Sequence, residues 1–436
     1  MNILVIGSGG REHAFAWKLK QSALCTNLYI APGNAGTLQL GENVEVSATD
    51  FDAIEKICID KKIDLVFVGP EEPLVKGIYD YFRNNDQLRK KIIIGPSREA
   101  AQLEGSKSFA KSFMQRHKIP TAVFKSFDKT NYDTGLDYIK NHSVPIVLKA
   151  DGLAAGKGVL ICLNHQEAIS EYELMIQDAK FGEAGKKVLV EEFLSGIELS
   201  VFVLTDGKNY LLLPEAKDYK RVGESDTGLN TGGMGAISPV PFADDTFMQK
   251  VTTQVIEPTI AGLQKENLDY KGFIFFGLIK VNDEPKVIEY NCRMGDPETE
   301  VVLLRLQNDL VQLFVSTFEE NLNKEKIIID PRSAATIMAV SGGYPGEYEK
   351  GKAIDFGFEK IPESIKDIYS FGGAVVFHAG TKKVNEKIIT NGGRVLAVSA
   401  LGDTLTDAVE LSKEIMRQIH FENMYYRTDI GYEFIR

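Results

Sequence analysis

The chain has 436 residues and a formal net charge of −11. That length suggests about three domains at roughly 150 residues each, and cores large enough to need no metal or disulfide staple. The acidic excess, with 44% hydrophobic and 25% charged residues, fits a soluble globular protein and argues against a broad nucleic-acid or membrane surface. Cys25, Cys58, Cys162 and Cys292 are dispersed and form no CxxC pair, which excludes a disulfide framework or cysteine zinc site and fits a reducing cytosol.

No apolar run nears the ~20 residues of a membrane span, and the N-terminus lacks a basic region and a cleavage site, so a cytoplasmic location is expected. Over the first hundred residues, β-rich runs at 3–6, 27–30, 64–68 and 91–94 alternate with helical stretches at 12–20, 52–61 and 75–82. This alternation predicts a parallel sheet with helices on both faces. Each strand ends in a glycine- or proline-rich loop, and in such a sheet those carboxyl-end loops line one edge where ligands bind.

From about 104 to 326 the style changes. A helix is predicted from near Ser106 to His117, then strands at 145–149 and 159–163 joined by a glycine loop. A helix at 166–179 and strands at 187–192, 198–205 and 210–213 follow. The polar, glycine-rich stretch 223–239 reads as a mobile loop. The last hundred residues predict strands at 334–341 and 373–378, a hairpin around Asn391-Gly-Gly393 and a final helix at 406–419.

Gly7-Ser8-Gly9 after a strand suggests a dinucleotide fingerprint, but Glu12 stands where the third glycine belongs and the ribose-binding acid is missing. With Arg11 at the helix start, a phosphate-bearing small molecule is the better reading. The stretch 149–158 fails the P-loop count and joins two strands. A glycine flap can still fold backbone donors over a triphosphate, with Lys107 and Lys149 as counter-charges. Glu289, Asn291 and Arg293 alternate with Ile288, Tyr290 and Cys292, which puts the three polar side chains on one strand face. Two oxygen donors so spaced suit Mg²⁺, which completes its shell with phosphates and water, and Arg293 can bridge phosphate oxygens. Together with the flap this reads as a phosphoryl-transfer constellation. Glu191 and Glu198 flank a strand end suited to a purine edge and ribose hydroxyls. The scattered histidines, His13 and His378 included, read as structural.

Eight segments, among them GSGGREHA at 7–14, GPEEPLVKG at 69–77, KADGLAAGKGV at 149–159, NTGGMGA at 230–236 and EYNCRMGDPETE at 289–300, resemble the phosphoribosylamine–glycine ligase (glycinamide ribonucleotide synthetase) family of ATP-grasp enzymes, nearly end to end. Lys217 and Tyr219 depart from the usual Gln-Asp-His pattern, and Leu229 replaces a usual proline. The resemblance implies an α/β and α+β protein. An N-terminal doubly wound parallel sheet (1–103) would precede a two-lobed ATP-grasp domain (104–326, flap lobe about 121–192) and a small mixed C-terminal domain (327–436). It implies ATP held by Lys107, Lys149, the flap residues Gly156, Lys157 and Gly158, then Glu191, Phe193 and Glu198. Mg²⁺ or Mn²⁺ would sit on Glu289 and Asn291. Arg293 and Asp296 would be catalytic. Gly9, Gly10, Arg11, Glu71, Asp218, Gly393 and Arg394 would bind substrate. Expected partners are glycine and 5-phosphoribosylamine alone, in a monomer, with no nucleic acid or membrane. Three rivals stay open: an ATP-grasp ligase of another acid or amine, a nicotinamide-dependent oxidoreductase, and a non-catalytic nucleotide sensor.

Overall fold

The computed structural model describes residues 1–153, 158–178, 180, 182–357 and 373–435. The predicted parallel sheet is present: strands Glu42–Asn43, Asn27–Pro32, Asn2–Gly7, Leu65–Val68 and Ile92–Pro96 lie side by side in that order, all parallel. Its central strands are mostly apolar because both faces are covered. Ile3, Val5, Leu65 and Phe67 enter one buried cluster, while Leu4, Ile6, Val66 and Val68 enter another on the opposite face, as alternating side chains require.

This sheet does not stop at the N-terminal region. The long strand Tyr270–Val281 joins the edge of Ile92–Pro96 through Tyr270 and Lys271, then pairs antiparallel with Ile197–Thr205 and with Glu284–Asn291. One nine-stranded sheet therefore carries both the glycine loops and the Glu289–Asn291 segment.

The predicted flap hairpin forms: Ile146–Ala150 pairs antiparallel with Val159–Cys162. With Phe124–Asp128 and Lys187–Glu192 it makes a four-stranded sheet. Helices Tyr132–Lys140 and His165–Ile176 complete this lobe, and Ile139, Leu148, Tyr172 and Val190 fill its separate core. Gly156 and Lys157 lie outside the described residues.

Two expectations fail in the remaining sheet. The stretch 223–239 is not a loop: Arg221–Gly223 and Thr227–Asn230 form a hairpin, and Gly235–Ser238 is an interior strand between Lys217–Asp218 and Ser333–Val340. Gly235, Ala236, Ile237 and Ser238 are all buried. Gly235, Ala236 and Ser238 read as loop composition, but a distant strand supplies the ladder. Nor does Asn391-Gly-Gly393 close a hairpin. Lys387–Thr390 pairs back with Thr381–Val384 across Asn385 and Glu386, both at positive φ, whereas Arg394–Gly402 pairs with Ser333–Val340 and Ala374–His378. Asn-Gly chemistry marks a turn without deciding which strands flank it. The final helix, Leu405–Met416, buries Ala408, Val409 and Met416 against this sheet.

Candidate active site

One cavity lies under the flap hairpin, between the two lobes of the middle region. Ser106 caps helix Lys107–Arg116 by accepting from the Phe109 amide at 3.1 Å, so Lys107 stands on the first turn and Lys111 one turn on. Lys149 leaves the flap strand. Glu191 is buried between Lys111 and Lys149, 3.0 Å from each ammonium, and its other oxygen has no partner. Lys107 donates to the Gly152 carbonyl at 3.1 Å and Lys149 to the Ile288 carbonyl at 3.3 Å. Burial pulls the Lys107 ammonium below its usual range against the pull of Glu289, and lowers Lys111 to about 8 despite Glu191. These lysines are poorly hydrated cations with room for more negative charge.

Glu289, Asn291 and Arg293 line the same cavity as Lys107, Lys149 and Gly158. The ladder with Tyr270–Val281 skips Ile288, so Ile288 also reaches the cavity, which Tyr290 borders as well, while Cys292 is buried away from it. With its amide oriented by its acceptors, Asn291 donates to Glu104 Oε1 and the Tyr290 carbonyl, both at 3.1 Å, which leaves its oxygen available. Among the described residues no group of three or more His, Cys, Asp or Glu is placed to hold a metal. Glu289 and Asn291 each bring a side-chain oxygen to the cavity, a pair that fits a cation taking its remaining ligands from phosphate and water. Arg293 pairs with Glu104 at 2.9 Å and with Glu71 at 3.4 Å. Burial pushes the Glu104 carboxyl up to about 7. Burial would also raise Glu71, but Arg293 and Arg11 hold it below the ordinary carboxylate range.

Glu198 and Asp218 meet beside Glu289 around Lys220, whose ammonium lies 2.8 Å from Glu198 and 3.7 Å from Asp218. Phe193 is not brought to the cavity: it follows the end of its strand and is 40% exposed. Sequence reasoning did not single out Lys111, Glu104 or Lys220. Lys111 was findable as the residue one helical turn after Lys107.

A second cavity of about 700 Å³ opens where the amino- and carboxyl-terminal regions meet, lined by Ser8, Gly9, Gly33, Asn34, Asp296, Lys382, Lys383 and Arg394 among others. Asn34 ties the two regions by donating to the Ser8 carbonyl at 2.9 Å and the His378 carbonyl at 2.7 Å. Arg394 donates to the carbonyls of Gly232 and Asp296 at 2.6 and 2.7 Å, and lies 3.0 Å from Asp296 Oδ1. His13 and His378 are structural here: the His378 amide donates to His13 Nδ1 at 2.8 Å. Both are buried, and desolvation holds their imidazoles neutral.

The glycine-loop helix is arranged differently from expectation. Gly9 N–H donates to Glu12 at 2.6 Å, and a Cβ at Gly7 would stand 2.3 Å from the Glu12 side chain. The carboxylate of Glu12, where a dinucleotide fingerprint has glycine, thus fills the helix N-terminus. Arg11 is buried against Glu12 and the Met294 carbonyl and is not part of the cavity lining. Gly10 faces the buried Glu300, and Gly393 packs on Tyr344. Glu71 belongs to the first cavity. The cations lining the second are Lys382, Lys383, which pairs with Glu386 at 2.6 Å, and Arg394, of which sequence reasoning found only the last. The Lys-Lys pair next to the His378-Ala-Gly380 turn was the available signal.

Three descriptions of one family match consecutive parts of the chain: "Phosphoribosylglycinamide synthetase" N domain over 1–104, ATP-grasp (A) domain over 105–299, and C domain over 334–433. A phosphoribosylamine–glycine ligase of Vibrio cholerae is 45% identical over 438 aligned residues, covering 100% of this chain and 99% of that one. The Escherichia coli enzyme of the same name is 44% identical with the same coverage. The crystal structure of the Thermotoga maritima phosphoribosylamine–glycine ligase superposes with a TM-score of 0.84 at 32% identity, over 98% of this chain and 100% of that one. A biotin carboxylase from Campylobacter jejuni, at 15% identity and a TM-score of 0.71 over 99% and 94%, shares the fold. The chain belongs to the phosphoribosylglycinamide synthetase family, with an ATP-grasp unit at its centre.

Proposed function

We propose that this protein is an ATP-dependent ligase that joins glycine to 5-phosphoribosylamine, giving glycinamide ribonucleotide, ADP and phosphate in purine (IMP) biosynthesis. The observation that carries the reading is the closeness of the two cavities along the chain. Arg293 lines the first and Asp296 the second, and three residues of chain span at most about 11 Å. An acyl group activated at Arg293 is within reach of an amine held beside Asp296.

In this reading ATP lies under the flap, with its phosphates on Lys107 and Lys149 and its base near the Glu191 strand end. Glu198, with Lys220, is assigned to the ribose. Glu289 and Asn291 hold Mg²⁺ (or Mn²⁺), which when bound offsets charge on the phosphates. The glycine carboxylate oxygen attacks the γ-phosphorus and the bond to ADP breaks, leaving glycyl phosphate. The guanidinium of Arg293, already fixed by Glu104 and Glu71, stabilises its phosphate oxygens. The phosphoribosyl amine then attacks the acyl carbon, and phosphate leaves. Asp296 lines the second cavity with its Oδ1 3.0 Å from the Arg394 guanidinium, and its carboxylate accepts the proton the nitrogen sheds. Lys382, Lys383 and Arg394 take the acceptor phosphate, and Asp218 belongs to the substrate side. Water exclusion by the flap protects the acyl phosphate. The division at 103 and 326, a monomeric state and a cytoplasmic location belong to the same reading.

The test is ADP release with ATP, Mg²⁺, glycine and phosphoribosylamine generated in situ, leaving out one component at a time. Release that needs both glycine and the amine is the expected outcome. Replacement of either by another compound leaves a ligase of different specificity, and ATP binding without acid-dependent ADP release would end the reading.

A further inference from the structure

Lys217 and Tyr219, the two positions that depart from the family pattern beside Asp218, converge on one carboxylate from the far end of the chain. Glu433 lies 2.8 Å from the Lys217 ammonium through one oxygen and accepts from the Tyr219 hydroxyl at 2.7 Å through the other. Lys217 and Tyr219 are 6% and 1% exposed, and the Lys217 ammonium sits 4.0 Å from the Tyr219 ring centroid. A buried ammonium beside a buried phenol needs this partner, because a desolvated cation left unpaired is strongly unfavourable. The same carboxyl-terminal segment fastens the neighbouring hairpin. Buried Arg427 pairs with Asp226 and Asp429, and Asp429 accepts from the Ser225 amide at 2.6 Å.

From Tyr219 the contacts lead into the second cavity through main chain. The Met234 amide donates to the Tyr219 carbonyl and the Thr231 amide to the Lys220 carbonyl, both at 2.7 Å. Between them, Gly233 has a φ of +115°, and a Cβ there would lie 2.4 Å from Pro297, so the turn is pressed against the Asp296-Pro297 segment with no slack. The Gly232 carbonyl accepts from Arg394 at 2.6 Å. Glu433, outside both cavities, is thus linked through this strand and turn to Arg394.

We propose that Glu433 is a positioning residue for the acceptor pocket, acting through Lys217 and Tyr219 on the Gly232–Gly233 turn and Arg394. This rests on the proposed function for the identity of the acceptor. It predicts that Glu433→Gln, which keeps a hydrogen-bonding group and removes the charge, raises the apparent KM for phosphoribosylamine several-fold and leaves the KM for ATP unchanged. The dissociation constant of ribose 5-phosphate, used as an acceptor stand-in in calorimetry, rises with it. Glu433→Ala has the larger effect. In a Lys217→Met/Tyr219→Phe background, Glu433→Ala adds nothing further, because the route is already cut. An unchanged acceptor KM, a parallel rise for ATP, or full additivity in the triple variant overturns the inference. Absence of glycine-dependent ADP release from the wild-type protein overturns the functional reading instead, so the two failures are distinct.

Discussion

The two cavities are built in opposite ways. Apart from Glu71, the residues around the first come from 103–293, and most of its charges are mutually paired before any ligand arrives: Lys111 and Lys149 on Glu191, Arg293 on Glu104 and Glu71. The second gathers residues 8–45, Asp296 and 379–394, and Lys382 and Lys383 bring charge into it from the Thr381–Val384 hairpin strand. The first is a preorganised electrostatic site within one region, suited to a chemistry in which charge must be offset at fixed points. The second is a seam between regions, and its shape depends on a few ties such as Asn34, the His13–His378 pair and Arg394.

The largest effect should come from the preorganised site. Glu289→Gln is expected to reduce turnover on the order of a thousandfold, measured as steady-state ADP release; near-normal turnover would remove the metal assignment. Glu191→Ala should act on stability before chemistry, since it leaves Lys111 and Lys149 buried without their carboxylate. A loss of about 3–5 kcal/mol in denaturant unfolding is expected, and a change near zero would mean that water reaches these lysines.

At the seam the expected effects are smaller and selective. Arg394→Ala should raise the requirement for the phosphoribosyl acceptor about tenfold or more while sparing ATP; an equal change for both would erase the distinction between the sites. Acid should loosen the same seam. The imidazole of His378 is held down to about 4 by burial, from an ordinary 6.5, and that of His13 lies well below its usual value. The unfolded chain therefore takes up protons first as pH falls. The stability these groups support is fully present above pH 6.5 and is lost as pH falls toward about 4. Urea midpoints measured across that window should fall less in His378→Asn than in the wild type; identical slopes would assign the acid sensitivity elsewhere.

How far each feature was legible follows from the same contrast. The parallel strands, the flap hairpin and the Glu289–Asn291 pair could be read because each is local: an apolar run, a glycine loop between two strands, a two-residue period. Gly235–Ser238 could not, since its strand character comes from pairing with Ser333–Val340, a contact about a hundred residues away that composition does not encode. Arg11 was misplaced for a related reason. A cation at a helix start suggests an anion site, but Glu12 already supplies the anion at that terminus, and only the packing of Gly7 and Gly69 around it makes this evident.

The sequence by itself determined the α/β character, the ordering of strands and loops, the polar face of the Glu289–Asn291 strand and, through its motifs, the family. These depend on neighbours along the chain and on residue types whose chemistry survives any context. Tertiary structure alone decided that Glu191 bridges two lysines, that Lys382 and Lys383 line the second cavity, and that Glu433 holds the strand beside Asp218. Glu191 and Glu433 are charges whose partners lie far along the chain. Burial makes such pairing compulsory, because an unpaired charge in the interior costs too much, but which partner meets it is fixed only when the sheets assemble.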